Sequence, residues 1–249
     1  RAGKKSLGLW LAMGSPAAAE IVGLAGYDFA LSDLEHGPGD IENAVAQMQA
    51  MSAAPTTALV RVATNDHIYI RRALDAGAEG IMVPMIESAE EAATAVAACR
   101  FPPRGIRGSA TSLIRATDYG MREADYIEGF EDNLLILCQI ETLKGIENIE
   151  EIAGVEGIDL LFVGPSDIST VMGFATERDH PEVKTMLSRV ETRIKATGKW
   201  MGTVPRYGMS PPELFALGYD MVSGGSDSGL IRNAGLAQMK AHREANDRG

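Results

Sequence analysis

The chain has 249 residues, 45% hydrophobic and 23% charged, with a formal net charge of −11. This is the composition of a soluble globular protein with a sizeable core, and its acidity argues against nucleic-acid or anionic-membrane partners, which call for basic patches. No run of 18 apolar residues and no signal-like N-terminus is present, so a cytoplasmic protein is expected, with a short segment preceding Arg1.

Short apolar runs alternate with longer periodic stretches from end to end. The first strand is predicted over 7–12, followed by a helix over 16–24 with Ser15 as N-cap and Gly26 past its end. Strand two covers 28–33 and its helix 40–51. Strand three covers 57–62 and its helix 66–75, closed by Gly77. Strand four covers 80–84; its helix opens on the capping box Ser88-Ala-Glu-Glu91 and ends before Pro102. An irregular stretch, 104–123, and a short helix from Asp125 precede strand five at 134–140. A helix over 145–152 leads to strand six at 160–163, and a longer one over 181–196 to strand seven at 199–204. A helix over 211–217, strand eight at 219–223 and a final helix over 230–244 complete the chain.

Eight strands with helices between them, in a chain of this length, predict a single closed (β/α)8 barrel spanning 1–249. A doubly wound open sheet is the alternative, but it usually has fewer strands. The 104–123 stretch is too long for an idle connection and is a candidate functional loop. Cys99 and Cys138 sit in apolar segments and read as small core residues.

In such a barrel the active site lies at the C-terminal ends of the strands. Four polar sets fall there: Asp33-Leu-Glu-His36-Gly37-Pro38, Arg61 between Val60 and Val62, Gln139-Ile-Glu141, and Gly164-Pro-Ser-Asp167. Glu141 and Asp167 are hard oxygen donors on neighbouring strand ends, which suits Mg²⁺ or Mn²⁺. They are equally placed to cap the helices that follow. His36 stands three residues after Asp33. An acid that accepts from one ring nitrogen leaves the other free as a general base; the alternative is a structural histidine holding the 33–38 turn. An inward Arg61 needs an anion. That anion is either a substrate carboxylate or enolate oxygen, or an internal partner such as Glu35 or Glu141. His67, His180 and His242 read as surface groups. The run Ser223-Gly-Gly-Ser-Asp-Ser-Gly229 reads as a tight turn with Ser226 or Asp227 as N-cap, because no lysine lies near it to support a phosphate.

Further segments extend the pattern: Leu74-Asp-Ala-Gly-Ala78, Val83-Pro-Met85, Phe101-Pro-Pro-Arg-Gly-Ile-Arg-Gly108, Gln139-Ile-Glu-Thr142 and Val163-Gly-Pro-Ser-Asp-Ile168. Together and in this order, the chain resembles the HpcH/HpaI family of class II pyruvate aldolases over nearly its whole length. The resemblance implies that Glu141 and Asp167 ligate a divalent cation, Mg²⁺ or Mn²⁺ with Co²⁺ a further candidate. Pyruvate would chelate it, and the cation would act as a Lewis acid on the enolate. It also implies that Arg61 contacts the keto oxygen, that the Pro165, Ser166 and Asp167 turn holds the pyruvate carboxylate, and that Gln139 lies beside the metal. His36 oriented by Asp33 would form the acid–base dyad, and Asp75 would reach a neighbouring subunit's site.

The activity so implied is reversible, metal-dependent cleavage of 2-keto-4-hydroxy acids to pyruvate and an aldehyde, with oxaloacetate decarboxylation as a side activity. A lysine Schiff base is the other route to a stabilised carbanion, but Lys199 opens strand seven at the wrong end and Lys144 lies in a polar stretch. The enzyme rival is a CoA-thioester lyase of the citrate lyase β type, which would need basic groups for the CoA phosphates. The other rival is a non-catalytic barrel that binds a keto acid, in which the dyad would be idle. The family resemblance further implies a homo-oligomer, a trimer of dimers and hence a hexamer, with the last helix exchanged between partners. The apolar residues of 230–239 suit that packing and equally suit docking on the chain's own barrel. The chain departs from the family's usual alanine and leucine at Ser166 and Ile168, and from its usual apolar residue at Ser32. Arg206, Tyr207, Arg107 and Arg115 are candidates for the aldehyde portion, each with a surface-loop alternative.

Overall fold

Strands apolar on both faces are covered when they close on themselves inside a ring of helices. The computed structural model, which describes residues 4–246, has this arrangement. The strands are β1 (Ser6–Leu11), β2 (Phe29–Asp33), β3 (Thr57–Arg61), β4 (Gly80–Val83), β5 (Leu135–Ile140), β6 (Leu160–Val163), β7 (Trp200–Thr203) and β8 (Met221–Ser226). Every neighbouring pair is parallel, and β1 on β8 closes the barrel. The helices are α1 (Pro16–Leu24), α2 (Ile41–Met51), α3 (His67–Asp75), α4 (Ala89–Cys99), α5 (Glu123–Asn133), α6 (Leu143–Glu147), α7 (Ile149–Ala153), α8 (Pro165–Val171), α9 (Pro181–Thr197), α10 (Pro211–Ala216) and α11 (Asp227–Asn246).

The (β/α)8 expectation therefore holds, with local differences. Residues 165–167, read as a turn, open the helix α8, because Pro165 presets the first helical position. Strand eight continues to Ser226, and α11 starts at once. Ser226 Oγ accepts the Gly229 N–H at 3.0 Å, which is the capping role expected of this run. At α4 the Ser88 hydroxyl accepts the Glu91 N–H at 3.2 Å, while the Glu91 carboxylate accepts from Glu87, one residue earlier than in a capping box.

Two apolar layers hold the barrel. Phe29, Leu31, Leu59, Met82, Leu137, Leu160, Phe162 and Met221 fill its interior. Val60, Ile81, Ile136 and Leu161 on the outer strand faces pack with Ile70, Leu74, Ile149 and Leu187 of the helices. Cys99 and Cys138 are buried free thiols in that outer layer, as expected; burial pushes the Cys99 thiol up to about 12.

The N-terminal rim repeats a bond four times. Asp28, Glu79, Asp159 and Asp220 each stand immediately before an even-numbered strand. Their carboxylates accept the N–H of Leu7 (2.8 Å), Ala58 (2.8 Å), Ile136 (2.9 Å) and Met201 (3.0 Å), the second residue of the preceding strand. Each acid's own N–H donates to the carbonyl of that same residue. The side chain thus satisfies a strand-start donor that the neighbouring strand does not reach.

The 104–123 stretch lies at this same end, between α4 and α5. Arg107 is fully buried. Its guanidinium donates to Asp75 (2.8 Å) and Tyr126 (2.9 Å) and covers the Phe101 and Phe130 rings at 4.6 and 4.5 Å. Arg115 donates to the Ala76 carbonyl at 2.8 Å. Both arginines brace the C-terminal end of α3, so neither meets substrate at the C-terminal strand ends of its own subunit. The loop is too long because it carries this brace.

Helix α11 leaves the barrel with Leu230, Ile231, Leu236 and Met239 exposed. No helix of the described residues is long and apolar enough to cross a membrane.

Removing one rim carboxylate strands a strand-start N–H. Asp159→Ala is expected to destabilise the fold by about 1–3 kcal/mol, read as a lower urea midpoint at unchanged slope; an unaltered midpoint would assign the bond no stabilising role.

Candidate active site

Alternation along a strand turns every second side chain inward. Phe29 and Leu31 point into the barrel, so Asp33 does too; the same count carries Leu59 to Arg61 and Leu137 to Gln139. Asp33 and Arg61 are register partners on β2 and β3. The interior is apolar up to this layer and polar in it.

Arg61 is its centre. Nε and Nη2 donate to the two oxygens of Asp33 at 2.9 and 2.7 Å, and Nη1 lies 2.7 Å from Glu35 Oε2. The guanidinium lies 4.3 Å from the Trp10 ring centroid. The internal partners are therefore Asp33 and Glu35 and not Glu141. Burial alone would raise the Asp33 carboxyl, but the Arg61 hydrogen bonds and charge, with the N–H groups of His36 and Glu35, hold it below its ordinary range. Burial outweighs Arg61 at Glu35, whose carboxyl is raised.

Asp33 does not orient the His36 ring as expected. Its Oδ1 accepts the backbone N–H groups of Glu35 (3.1 Å) and His36 (3.2 Å), which sets the turn. The His36 ring is exposed, with Nε2 3.9 Å from Glu35 Oε2. Glu35, not singled out in sequence as more than an ion-pair partner, is thus the acid nearest the ring. Its signal was alternation: it stands two residues after Asp33.

Glu141 follows β5 and is buried. It accepts the Met85 N–H at 2.9 Å and the Gln139 amide. Met85 reaches it from a left-handed backbone, φ 56°, a conformation uncommon for a side chain of this size. Burial pushes the Glu141 carboxyl up to about 7; the Met85 N–H opposes this, and the charges of Asp167 and Glu35 add to it. Asp167 sits in the first turn of α8, exposed, and its carboxylate makes no hydrogen bond among the described residues. Neither acid caps a helix: Thr142 caps α6, and α8 has no side-chain cap. Gly164 lets α8 approach, since a Cβ there would lie 2.9 Å from Glu141 Oε2.

Two oxygen donors, one buried and one open, suit a hard divalent cation, and the buried Gln139 Oε1 beside them has no hydrogen-bond partner among the described residues. No group of three or more His, Cys, Asp or Glu among the described residues forms a ready-made cage. The pair leaves most of a cation's positions to other oxygens.

Asp75 closes α3 at the opposite end of its own barrel and pairs with Arg107. Arg206, a candidate for the aldehyde, instead joins Glu191 and the Tyr219 hydroxyl in a largely buried brace between β7, α9 and β8. Lys199 Nζ donates to the Ile158 carbonyl at 2.6 Å, at the N-terminal rim.

Residues 6–234 match the model of the family described as HpcH/HpaI aldolase/citrate lyase. A 4-hydroxy-2-oxo-heptane-1,7-dioate aldolase of Shigella boydii serotype 4 is 37% identical over 237 residues, 95% of this chain and 90% of the relative. An HpcH/HpaI aldolase/citrate lyase family protein from Burkholderia cenocepacia superposes with a TM-score of 0.91 at 34% identity, covering 97% and 95% of the two chains. An HpcH/HpaI aldolase from Desulfitobacterium hafniense does so with 0.89 at 28%, covering 98% and 94%. With its barrel, its paired acids and this match over nearly all its length, the chain belongs to the HpcH/HpaI aldolase/citrate lyase family.

Proposed function

We propose that the protein is a metal-dependent aldolase that cleaves 2-keto-4-hydroxy acids to pyruvate and an aldehyde, and joins them in reverse. The observation that carries this reading is the meeting of Glu141 with Arg61's charge cluster at one barrel mouth, beside the open Asp167. The relatives' substrate, a 4-hydroxy-2-oxo dioate, has this bond pattern, and its cleavage would yield pyruvate and an aldehyde that itself bears a carboxylate.

Glu141 and Asp167 would hold the cation, Mg²⁺ or Mn²⁺. When bound, it supplies Lewis acidity toward the keto acid. Gln139 and the Met85 N–H fix the Glu141 carboxylate. The first turn of α8, opened by Pro165, receives the pyruvate carboxylate on the backbone N–H groups of Ser166 and Asp167. Arg61 is locked by Asp33, Glu35 and Trp10, so its charge needs no reorganisation as negative charge develops on the keto oxygen. In cleavage His36 takes the C4 hydroxyl proton and the C3–C4 bond breaks. The electron pair stays with C3 and its keto group, C4 becomes the aldehyde carbonyl, and C3 is then protonated. Glu35 supports the protonated ring.

We also propose a homo-oligomer in which a second copy covers α11 and supplies Asp75. The exposed Leu230, Ile231, Leu236 and Met239 support this, as does the position of Asp75 away from its own Glu141.

Metal-free protein given 4-hydroxy-2-keto acids is expected to release pyruvate only once Mn²⁺ or Mg²⁺ is added, and Glu141→Ala to lower kcat/KM at least a hundredfold; full activity without metal or with the variant would sink the reading. His36→Ala should slow cleavage about 10²–10⁴-fold, the usual weight of a general base, while pyruvate binding followed by calorimetry persists. Unchanged cleavage would reassign the base. Asp75→Asn and Glu141→Ala, each weak alone, should regain activity when co-expressed as mixed oligomers; no gain over either homo-oligomer would place Asp75 outside the site.

A further inference from the structure

Ser166 stands where the family usually has alanine, and its hydroxyl has a partner that alanine would lack. Arg178 Nη1 donates to Ser166 Oγ at 3.2 Å. Ser166 is one residue from Asp167 and half-buried; Arg178 is exposed. The arginine comes from the 172–180 connection between α8 and α9, which lies at the C-terminal end of the barrel because α8 follows β6 directly. This connection is built. Phe174 N–H returns to the Ser169 carbonyl at 2.8 Å, the Phe174 and His180 rings stack at 3.9 Å, and His180 Nδ1 accepts the Glu182 N–H to cap α9. Arg178 Nε also points back at the Ala175 carbonyl, 3.4 Å away.

The charge of Arg178 is not consumed. No carboxylate lies within ion-pair distance of it among the described residues, whereas Arg61 is shared by Asp33 and Glu35, and Lys144 faces Glu87. The mouth also carries Asp33, Glu35, Glu141 and Asp167, and Glu177 and Asp179 flank Arg178, in a chain of net charge −11. Such a mouth repels an anionic substrate unless a cation offsets it.

We propose that Arg178, anchored by Ser166, is a specificity-determining residue that receives a carboxylate on the aldehyde half of the substrate. The assignment rests on the aldolase reading above. It places the second negative charge of a dicarboxylate on the side of the mouth where the Arg178 guanidinium stands with donors to spare. Arginine suits this role because its planar fork presents paired N–H donors to a carboxylate. One donor is used on Ser166 and one on the Ala175 carbonyl, and the Nη2 donors stay available.

The test is aldol addition to pyruvate with Mn²⁺ present, comparing succinic semialdehyde with the uncharged butanal. The wild type is expected to prefer the charged aldehyde, and Arg178→Ala to lower the ratio of the two kcat/KM values at least fivefold, through KM for succinic semialdehyde. Arg178→Lys should restore part of the ratio, and Arg178→Glu should lower it further. Ser166→Ala should lower it in the same direction by freeing the side chain. The wild-type ratio should fall between low and high salt, and that of Arg178→Ala should not, because an exposed charge is screened. A ratio unchanged in Arg178→Ala with normal turnover overturns the assignment alone, as does a loss that is equal for both aldehydes and tracks KM for pyruvate. No metal-dependent addition to either aldehyde in the wild type overturns the aldolase reading and this inference with it.

Discussion

A strand in a closed barrel turns alternate side chains inward, and the inner face of this barrel is apolar until its last layer. There Asp33, Arg61 and Gln139 replace Leu31, Leu59 and Leu137 two residues further along the same strands. A buried guanidinium is tolerable only when its charge and its donors are answered. Two carboxylates and the Trp10 ring do so here. Removing Arg61 would leave the buried Asp33 carboxylate without its cation, at a penalty of about 3–5 kcal/mol. The cluster therefore fixes the inner wall against which everything else at the mouth is arranged.

The second arrangement is electrostatic. Glu141 is buried beside Asp167 and Glu35, three acids with one shared cation in Arg61, and burial has already raised its carboxyl. The left-handed Met85 backbone aims an N–H at Glu141, and Gln139 holds its other oxygen. Sparsely populated backbone conformations of this kind persist where the surrounding structure over-determines them. The result is a carboxylate fixed in place but short of positive charge, next to an exposed acid whose side chain has no partner among the described residues. That is the electrostatic state in which a divalent cation is welcome.

The two ends of the barrel divide the labour. At the N-terminal rim four acids are spent on strand-start N–H groups, and Arg107 and Arg115 on the end of α3. At the C-terminal mouth Asp33, Glu35 and Glu141 are drawn together behind the exposed Asp167. The same residue types are dispersed at one end, each on its own strand start, and gathered at the other, around the one guanidinium of Arg61.

Much of this was legible in the chain. Apolar runs at regular spacing determine eight strands, and alternation alone puts Arg61 and Glu141 on the inner face, since a period of two needs no tertiary information. The segment motifs likewise determine the family. Three things were decided only by the fold. Asp33 bonds Arg61 and not the His36 ring, because register sets it opposite Arg61 while the turn carries the ring outward. The 104–123 loop and Arg206 became braces, because a connection's destination depends on which helix end it meets. Arg178 met Ser166 across twelve residues, a contact with no period to announce it. Periodic, local constraints are written in sequence; pairings between loops are settled by where the barrel puts their ends.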